Sequence, residues 1–456
     1  MNKIYLYLFS LLVFLIFPMK AQEGHNFFDP MDVFELEWAS DPQVSPDSKT
    51  IVYVRKSHDI MKDKVRSNIW QIKIDGEDHR PLYSELGNSY SPYWSPNQER
   101  LAFLSNNSGS TQIHMYWFKS GETRAITQLQ ESPSSLSWSP DGKWIAFTMN
   151  VKAKSNAIVE SREKPEGASW AEKPITVTTT RYQYDGRGIV EPSYRHIFVV
   201  PAEGGSARQL TTGNFNHYGP LSWSSDSESI FFSAYRSDDW ELASNEADIY
   251  KVQANNKEIV QITNQSGEES SPVVSPNGKL IAFNLRERRP LAYTPNRIAV
   301  IDLEGKNMRV ISGDLDGDAE NIVWAEDNQS IYFTFDERGI RKVGKVTLTG
   351  KLSEAATSVG GTTIGRPYIS GGFHVAKNTI AFTYGQSDRP ADLAIMQNGK
   401  FKVLTELNED LLAHRKLGEV NEIVYKSSFD GQEIQGWYIT PPDYDPTKQY
   451  PLILEI

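Results

Sequence analysis

The chain has 456 residues, 39% of them hydrophobic, with 24 prolines and 31 glycines, too long for one ordinary compact domain and turn-rich in the manner of a β protein. Its formal charge of −11 is poorly suited to nucleic acid, and no basic stripe with interleaved aromatics occurs. The lack of cysteine excludes disulfides, thiolate metal sites and a cysteine nucleophile, and a core this large does not need disulfide staples.

Chain order begins with a targeting segment. Lys3 supplies a short positive region, residues 4–17 are apolar, and Met19-Lys20-Ala21 offers a cleavage site before Gln22, the layout of a secretory signal peptide. An uncleaved anchor is the alternative, and the lack of a nearby cysteine excludes a lipoprotein. Removing residues 1–21 takes away Lys3 and Lys20 and no acid, moving the charge from −11 to −13. No later run of 18 apolar residues occurs, so no internal membrane span is expected. The expectation is an exported, periplasmic protein. Residues 22–40 read as a lead-in.

From there a phrase recurs. Its cleanest copy is Trp138-Ser139-Pro140-Asp141-Gly142-Lys143-Trp144-Ile145-Ala146-Phe147; others begin at Val44, Trp94 and Val274, with degenerate copies at Trp223 and Trp324 and a seventh visible at Ala376. The phrase reads as strand, tight turn, strand: proline presets φ at the second turn position, and Asp and Gly tolerate the later ones. Turn starts at 45, 95, 139, 224, 275, 325 and about 377 leave gaps of 44 to 52 residues but for one of 85. That period suits four short strands, the size of a propeller blade. Third strands are predicted at residues 68–72, 112–116, 195–199, 248–252 and 297–301, and closing segments at 124–127, 208–211 and 260–263. Seven units in a ring leave few exposed edges, and an open stack of β-meanders is the alternative. The fold class expected over residues 41–406 is an all-β seven-bladed β-propeller.

The long gap carries an insertion in the third unit, about 152–194. It is polar to Lys173, extended-looking at Ile175-Thr176-Val177-Thr178-Thr179-Thr180, and ends in Arg181-Tyr182-Gln183-Tyr184-Asp185-Gly186-Arg187-Gly188. A long excursion from a rigid scaffold is more often functional than a short turn is.

Catalytic patterns are missing from the sequence. No Gly-x-Ser-x-Gly occurs: Gly204-Gly205-Ser206-Ala207-Arg208 and Gly361-Thr362-Thr363-Ile364-Gly365 both fail it. The histidines at 25, 58, 79, 114, 196, 217, 374 and 414 form no zinc pair, and His114 and His196 fall in predicted strands. Asp314-Leu315-Asp316-Gly317-Asp318 lacks the closing Glu of a calcium loop and reads as a solvated turn. No phosphate loop is present, so neither metal nor cofactor is expected.

The last fifty residues carry a resemblance. Asp430-Gly431 with Ile434-Gln435-Gly436-Trp437 resembles the first hairpin, and Tyr450-Pro451-Leu452-Ile453-Leu454 the next strand, of the α/β-hydrolase domain in the prolyl oligopeptidase (S9) family of serine peptidases, nearest its acylaminoacyl-peptidase and dipeptidyl-peptidase 5 branch. Met31-Asp32-Val33-Phe34 and Gln386-Ser387-Asp388-Arg389-Pro390-Ala391-Asp392-Leu393 also resemble that branch, whereas the blade phrase is shared with TolB-like propellers. The resemblance implies a propeller followed by residues 407–456 as linker and the first strands of an incomplete α/β-hydrolase domain. Its oxyanion motif and catalytic Ser, Asp and His would lie beyond Ile456, so no catalytic residue is assigned. The 456-residue chain is then expected to be inactive and its sequence incomplete.

In such an enzyme serine attack on a peptide carbonyl gives an acyl-enzyme, and the propeller limits access to short peptides. The partners implied are short peptide substrates, with no nucleic acid, no membrane after signal cleavage, and a homo-oligomer open through the hydrolase domain. Dipeptide release, acyl-amino-acid release and endopeptidase action all stay open. Substrate-contact candidates are Tyr182, Tyr184 and Asp185, an Asp suiting a peptide's free amine; packing of the insertion is their bland alternative. Against the peptidase stand a self-sufficient TolB-like binding module and a propeller glycosidase or lyase, the latter lacking a visible carboxylate pair.

Overall fold

A computed structural model describes residues 27–153, 162–171, 175–177, 179–243, 245–289, 291, 293–364 and 370–455. The signal segment at 1–21 and parts of the insertion, including Thr178, lie outside the described residues. The chain divides into two compact units, one of residues 34–409 and the other of residues 1–33 with 410–456.

The larger unit holds seven antiparallel sheets, each of four strands in meander order, at residues 37–83, 89–125, 133–209, 217–261, 267–310, 320–359 and 373–403, numbered here as blades 1 to 7. Blades 6 and 7 are further joined by one bridge, Val359 to Tyr384. The predicted third strands all fall in third strands of the sheets, for instance Lys64–Lys73, Gln112–Trp117 and Asp248–Gln253.

The repeated phrase turns because its side chains satisfy the backbone. Ser139 Oγ donates to Asp141 Oδ1 at 2.6 Å and accepts the Trp144 amide at 2.9 Å, while Asp141 Oδ1 accepts the Lys143 amide at 3.0 Å. The next residue needs the left-handed conformation: Gly142 has φ +69° and Gly278 +67°, and Ser48, Gln98, Ser227, Asn328 and Lys377 adopt it without that freedom. In blade 6 the first Ser is Ala325, and Asp327 instead accepts the amides of Gln329 and Ser330. A second device ends five of the seven closing segments. Thr127, Thr211, Thr263, Ser312 and Thr405 accept the third-strand amides of Ile113, Ile197, Ile249, Ile298 and Leu393.

The buried apolar residues fall into seven clusters, each between two adjacent blades. Six join neighbours in sequence. The seventh packs Ala39, Val44, Ile51, Tyr53 and Ile72 of blade 1 against Ala376, Ala381, Leu393 and Ile395 of blade 7 with Leu407, so the ring closes by packing, without a strand exchanged among the described residues. Alternation along the second and third strands supplies both faces of each sheet: Phe231 faces blade 5, and Phe232 joins the cluster shared with blade 3. Because a meander's fourth strand ends where the next first strand begins, the connections between second and third strands lie on the face where residues 34–37 enter and 403–409 leave.

In the smaller unit Val420–Lys426 pairs with Glu433–Ile439, the predicted hairpin, and Gly431 turns it at φ +75°. Asp32, in the Met-Asp-Val-Phe string, receives both Nε and Nη2 of Arg415 at 2.7 and 2.8 Å, and that guanidinium holds its carboxyl at about 2. The segment 450–454 is not a strand here: no described strand pairs with it, and Leu452 and Ile453 are exposed.

Candidate functional site

The insertion leaves blade 3 between Trp144–Lys152 and Ser193–Pro201, on the face where the chain enters and leaves the ring. Residues 175–177 form no strand. A short hairpin does form, Gln183–Tyr184 with Gly188–Ile189, extended by the Val190 amide donating to the Tyr182 carbonyl at 2.9 Å. The Thr180 amide donates to Glu241 Oε2 at 2.9 Å, which ties the insertion to the connection at 235–247 in blade 4.

Between these elements lies a cavity of about 390 Å³, walled by Tyr184, Arg187 and Arg181 of the insertion, Tyr194 and Arg195 of blade 3, and Asn216, Tyr218, Trp240 and Glu241 of blade 4. A neighbouring cavity of about 350 Å³ shares Arg181, Asn216, Tyr218 and Trp240 and reaches Glu246 and Glu268 at blade 5. The Arg195 amide donates to Asn216 Oδ1 at 2.9 Å, and its guanidinium lies over the Tyr218 ring at 5.5 Å. Tyr194 meets Trp240 edge-on at 5.8 Å.

Beneath the cavity, burial drives His217 down to about 3. Its Nδ1–H donates to the Arg195 carbonyl at 2.8 Å, which leaves Nε2 to accept from Arg236 Nη1 at 2.5 Å. A neutral ring whose lone pair is already taken cannot serve as a base. Burial raises the phenols of Tyr194 and Tyr218, the latter against the pull of Arg195 and Arg181, so both stay protonated donors. The described lining contains no histidine and no Ser–His pair. Its chemistry is recognition by guanidinium, hydroxyl and aromatic face.

Of the residues singled out by sequence, Tyr184 stands in the cavity wall. Tyr182 and Asp185 share its hairpin but are not among the lining residues. Sequence reasoning missed Arg181, Arg187, Arg195, Tyr218 and Trp240 as a group. The first two sit in the string that closes the insertion, and the available signal for Trp240 was a blade 4 connection longer than its counterparts outside blade 3. In Asp314–Asp318, Asp318 accepts Tyr293 Oη at 3.0 Å and the Asn296 amide at 2.5 Å, and Arg297 Nη1 donates to the Gly317 carbonyl at 2.7 Å.

A TolB beta propeller domain model matches residues 37–171, and a model of the dipeptidyl peptidase IV N-terminal region matches residues 159–288. The uncharacterized peptidase YuxL of Bacillus subtilis is 26% identical over 93% of this chain and 65% of its own length. Dipeptidyl-peptidase 5 of Porphyromonas gingivalis is 25% identical over 92% of this chain and 61% of its own. The chain thus spans less than two thirds of the length of these curated relatives. Among solved structures, an acylaminoacyl peptidase of Pyrococcus horikoshii superposes with TM-score 0.70 at 16% identity, over 92% of this chain and 60% of that one. The propeller domain of the Trilobed protease from Pyrococcus furiosus, described as having an open velcro topology, superposes with TM-score 0.56 at 15% identity, over 83% of this chain and 98% of that one. The structural likenesses carry the fold, a propeller ring, and in sequence the chain is similar to peptidases of the prolyl oligopeptidase (S9) family.

Proposed function

We propose that this chain is the substrate-gating propeller portion of an exported serine peptidase that hydrolyses short peptides, of dipeptidyl- or acylaminoacyl-peptidase type. No residue of the 456 is assigned as nucleophile, base or oxyanion donor. Serine attack, acyl-enzyme formation and its hydrolysis belong to a catalytic domain joined to this propeller, whose part is to admit and orient short peptides while excluding folded proteins. The observation that carries the reading is the order of parts: a seven-blade ring, then the hairpin of Val420–Lys426 and Glu433–Ile439 with Val424, Trp437 and Ile439 exposed. A free-standing binding propeller has no use for such a hairpin.

The test compares the 456-residue chain with the product of the source gene's full reading frame. Both are treated with a fluorophosphonate probe and assayed on dipeptidyl and N-acetyl-aminoacyl p-nitroanilides. The expected result is labelling and turnover in the longer product alone. An inert longer product would leave the chain as a TolB-like binding module, and labelling of the 456-residue chain would contradict the division of labour.

A further inference from the structure

We propose that the cavity between blades 3 and 4 binds a carboxylate of a peptide ligand through Arg181, Arg187 and Arg195; this rests on the peptide-admitting role proposed for the propeller. Five of the charged side chains lining that cavity are the three arginines, Glu191 and Glu241. Both acids are engaged: Lys152 Nζ lies 3.2 Å from Glu191, and Glu241 accepts the Thr180 amide. None of the three guanidinium groups has a carboxylate within 4.0 Å among the described residues. Arginines on other blades, such as Arg100, Arg286 and Arg341, do have one.

The acids of the neighbouring cavity do not fill the gap, since Glu268 pairs with Arg286 at 3.3 Å and Glu246 with Arg288 at 2.9 Å. In a chain of net charge −11, the uncompensated charge at this one hollow is positive. The arginines are also prepared. Asn216 and His217 hold the Arg195 backbone while its guanidinium rests on Tyr218, so its N–H donors stay available. Arg187 sits in the turn between Gly186 and Gly188, both in the left-handed conformation. Planar N–H forks match carboxylate oxygens in pairs, and the walls of Tyr184, Tyr218 and Trp240 offer flat faces to peptide. Because His217 is neutral, the positive charge at the cavity comes from the guanidinium groups.

The carboxylate can come from an acidic side chain or a free C-terminus. Calorimetric titration of the 456-residue chain with three N-acetylated tetrapeptides separates them: tetra-alanine amide, tetra-alanine free acid, and Ala-Ala-Glu-Ala amide. At least one acid should bind about tenfold or more tighter than the neutral amide, and which one does identifies the source. The advantage should shrink to about twofold or less in Arg181→Gln/Arg187→Gln and in 0.5 M NaCl. Both substitutions lie on an exposed hairpin outside every blade core, and unchanged circular dichroism checks the fold. Equal binding of all three peptides would overturn the carboxylate site and leave the peptide reading standing. No binding by any would overturn both, and an acid preference that survives in the double variant would overturn the assignment to these arginines.

Discussion

In the third strand of blade 4, Asp248 stands where its environment opposes its charge. It is 8% exposed, and burial, then Glu269, then Glu246 push its pKa up to about 7. Gln261 Nε2 donates to its Oδ2 at 3.1 Å and Tyr250 also pulls it down, but neither offsets the burial. Glu269 is fully buried, and burial raises it too, against the pull of Thr263 and the Gln265 backbone. Two carboxyls thus face one another at the seam of blades 4 and 5. A raised acid is most stabilising when protonated: its contribution is complete below the unfolded value near 3.8 and is lost as pH rises to about 7. Asp248→Asn keeps an acceptor for Gln261 and cannot ionise. Its expected effect is a higher Tm at pH 8, by roughly 2 °C or more for about 1 kcal/mol, shrinking to nothing near pH 4. Thermal melts at the two pH values check this, and a loss of Tm at pH 8 would contradict it.

The blade is the element from which the molecule is built, and its latch is a tryptophan. Trp94, Trp138, Trp223 and Trp324 end first strands, and their Nε1–H groups donate to the carbonyls of Gln43, Tyr93, Ser137 and Val273 on the preceding blade, at 2.9 to 3.2 Å. Blade 5 has Val274 instead, and its amide donates to Ser222 Oγ at 2.9 Å. Trp324→Phe keeps most of the buried ring and deletes the donor, so it should cost about 1–2 kcal/mol in urea unfolding without loss of β content. A cost near zero would show that the indole acts by packing alone. The repeat made the blades, their turns and their third strands legible because a turn and its flanking strands are local. Neither the tryptophan bonds nor the cavity was legible in that way. Tyr184 is singled out in sequence with its insertion, but Arg195, Tyr218 and Trp240 share its cavity only because blades 3 and 4 pack together, and spacing along a chain does not report that packing.

At the scale of the ring, one interface differs from the other six in joining the two ends of the propeller. Residues 37–72 reach residues 374–408 across more than 300 positions, and loop-closure entropy weighs most heavily there. With no exchanged strand among the described residues, side chains must hold this seam. The Val44 amide donates to His374 Nδ1 at 3.2 Å, and Ser48 Oγ donates to the Ala376 carbonyl at 2.9 Å. Burial depresses His374 to about 4. For a depressed histidine the stability is present above its unfolded value near 6.5 and is lost as pH falls toward 4, because the protonated ring can no longer accept the Val44 amide. Acid should therefore raise hydrogen exchange in blades 1 and 7, with blades 3 and 4 responding as well through His217, and unchanged protection of blades 1 and 7 at pH 4.5 would count against this. Asn408 gives a sharper test. Its Oδ1 accepts the Glu37 amide at 2.8 Å and its Nδ2 donates to the Glu37 carbonyl at 2.7 Å, clamping the start of the first blade to the residue after Leu407, itself in the closing core. The sequence-based boundary at 406 would sever both residues from the ring, whereas the compact unit runs to Glu409. Asn408→Ala leaves both backbone groups of Glu37 without their partner and should cost about 2–3 kcal/mol, with faster exchange at residues 37–44 and 373–397 and little change in blades 3 to 5. A loss of protection spread evenly around the ring would mean that the blades melt as one body and that the seam has no independent weakness.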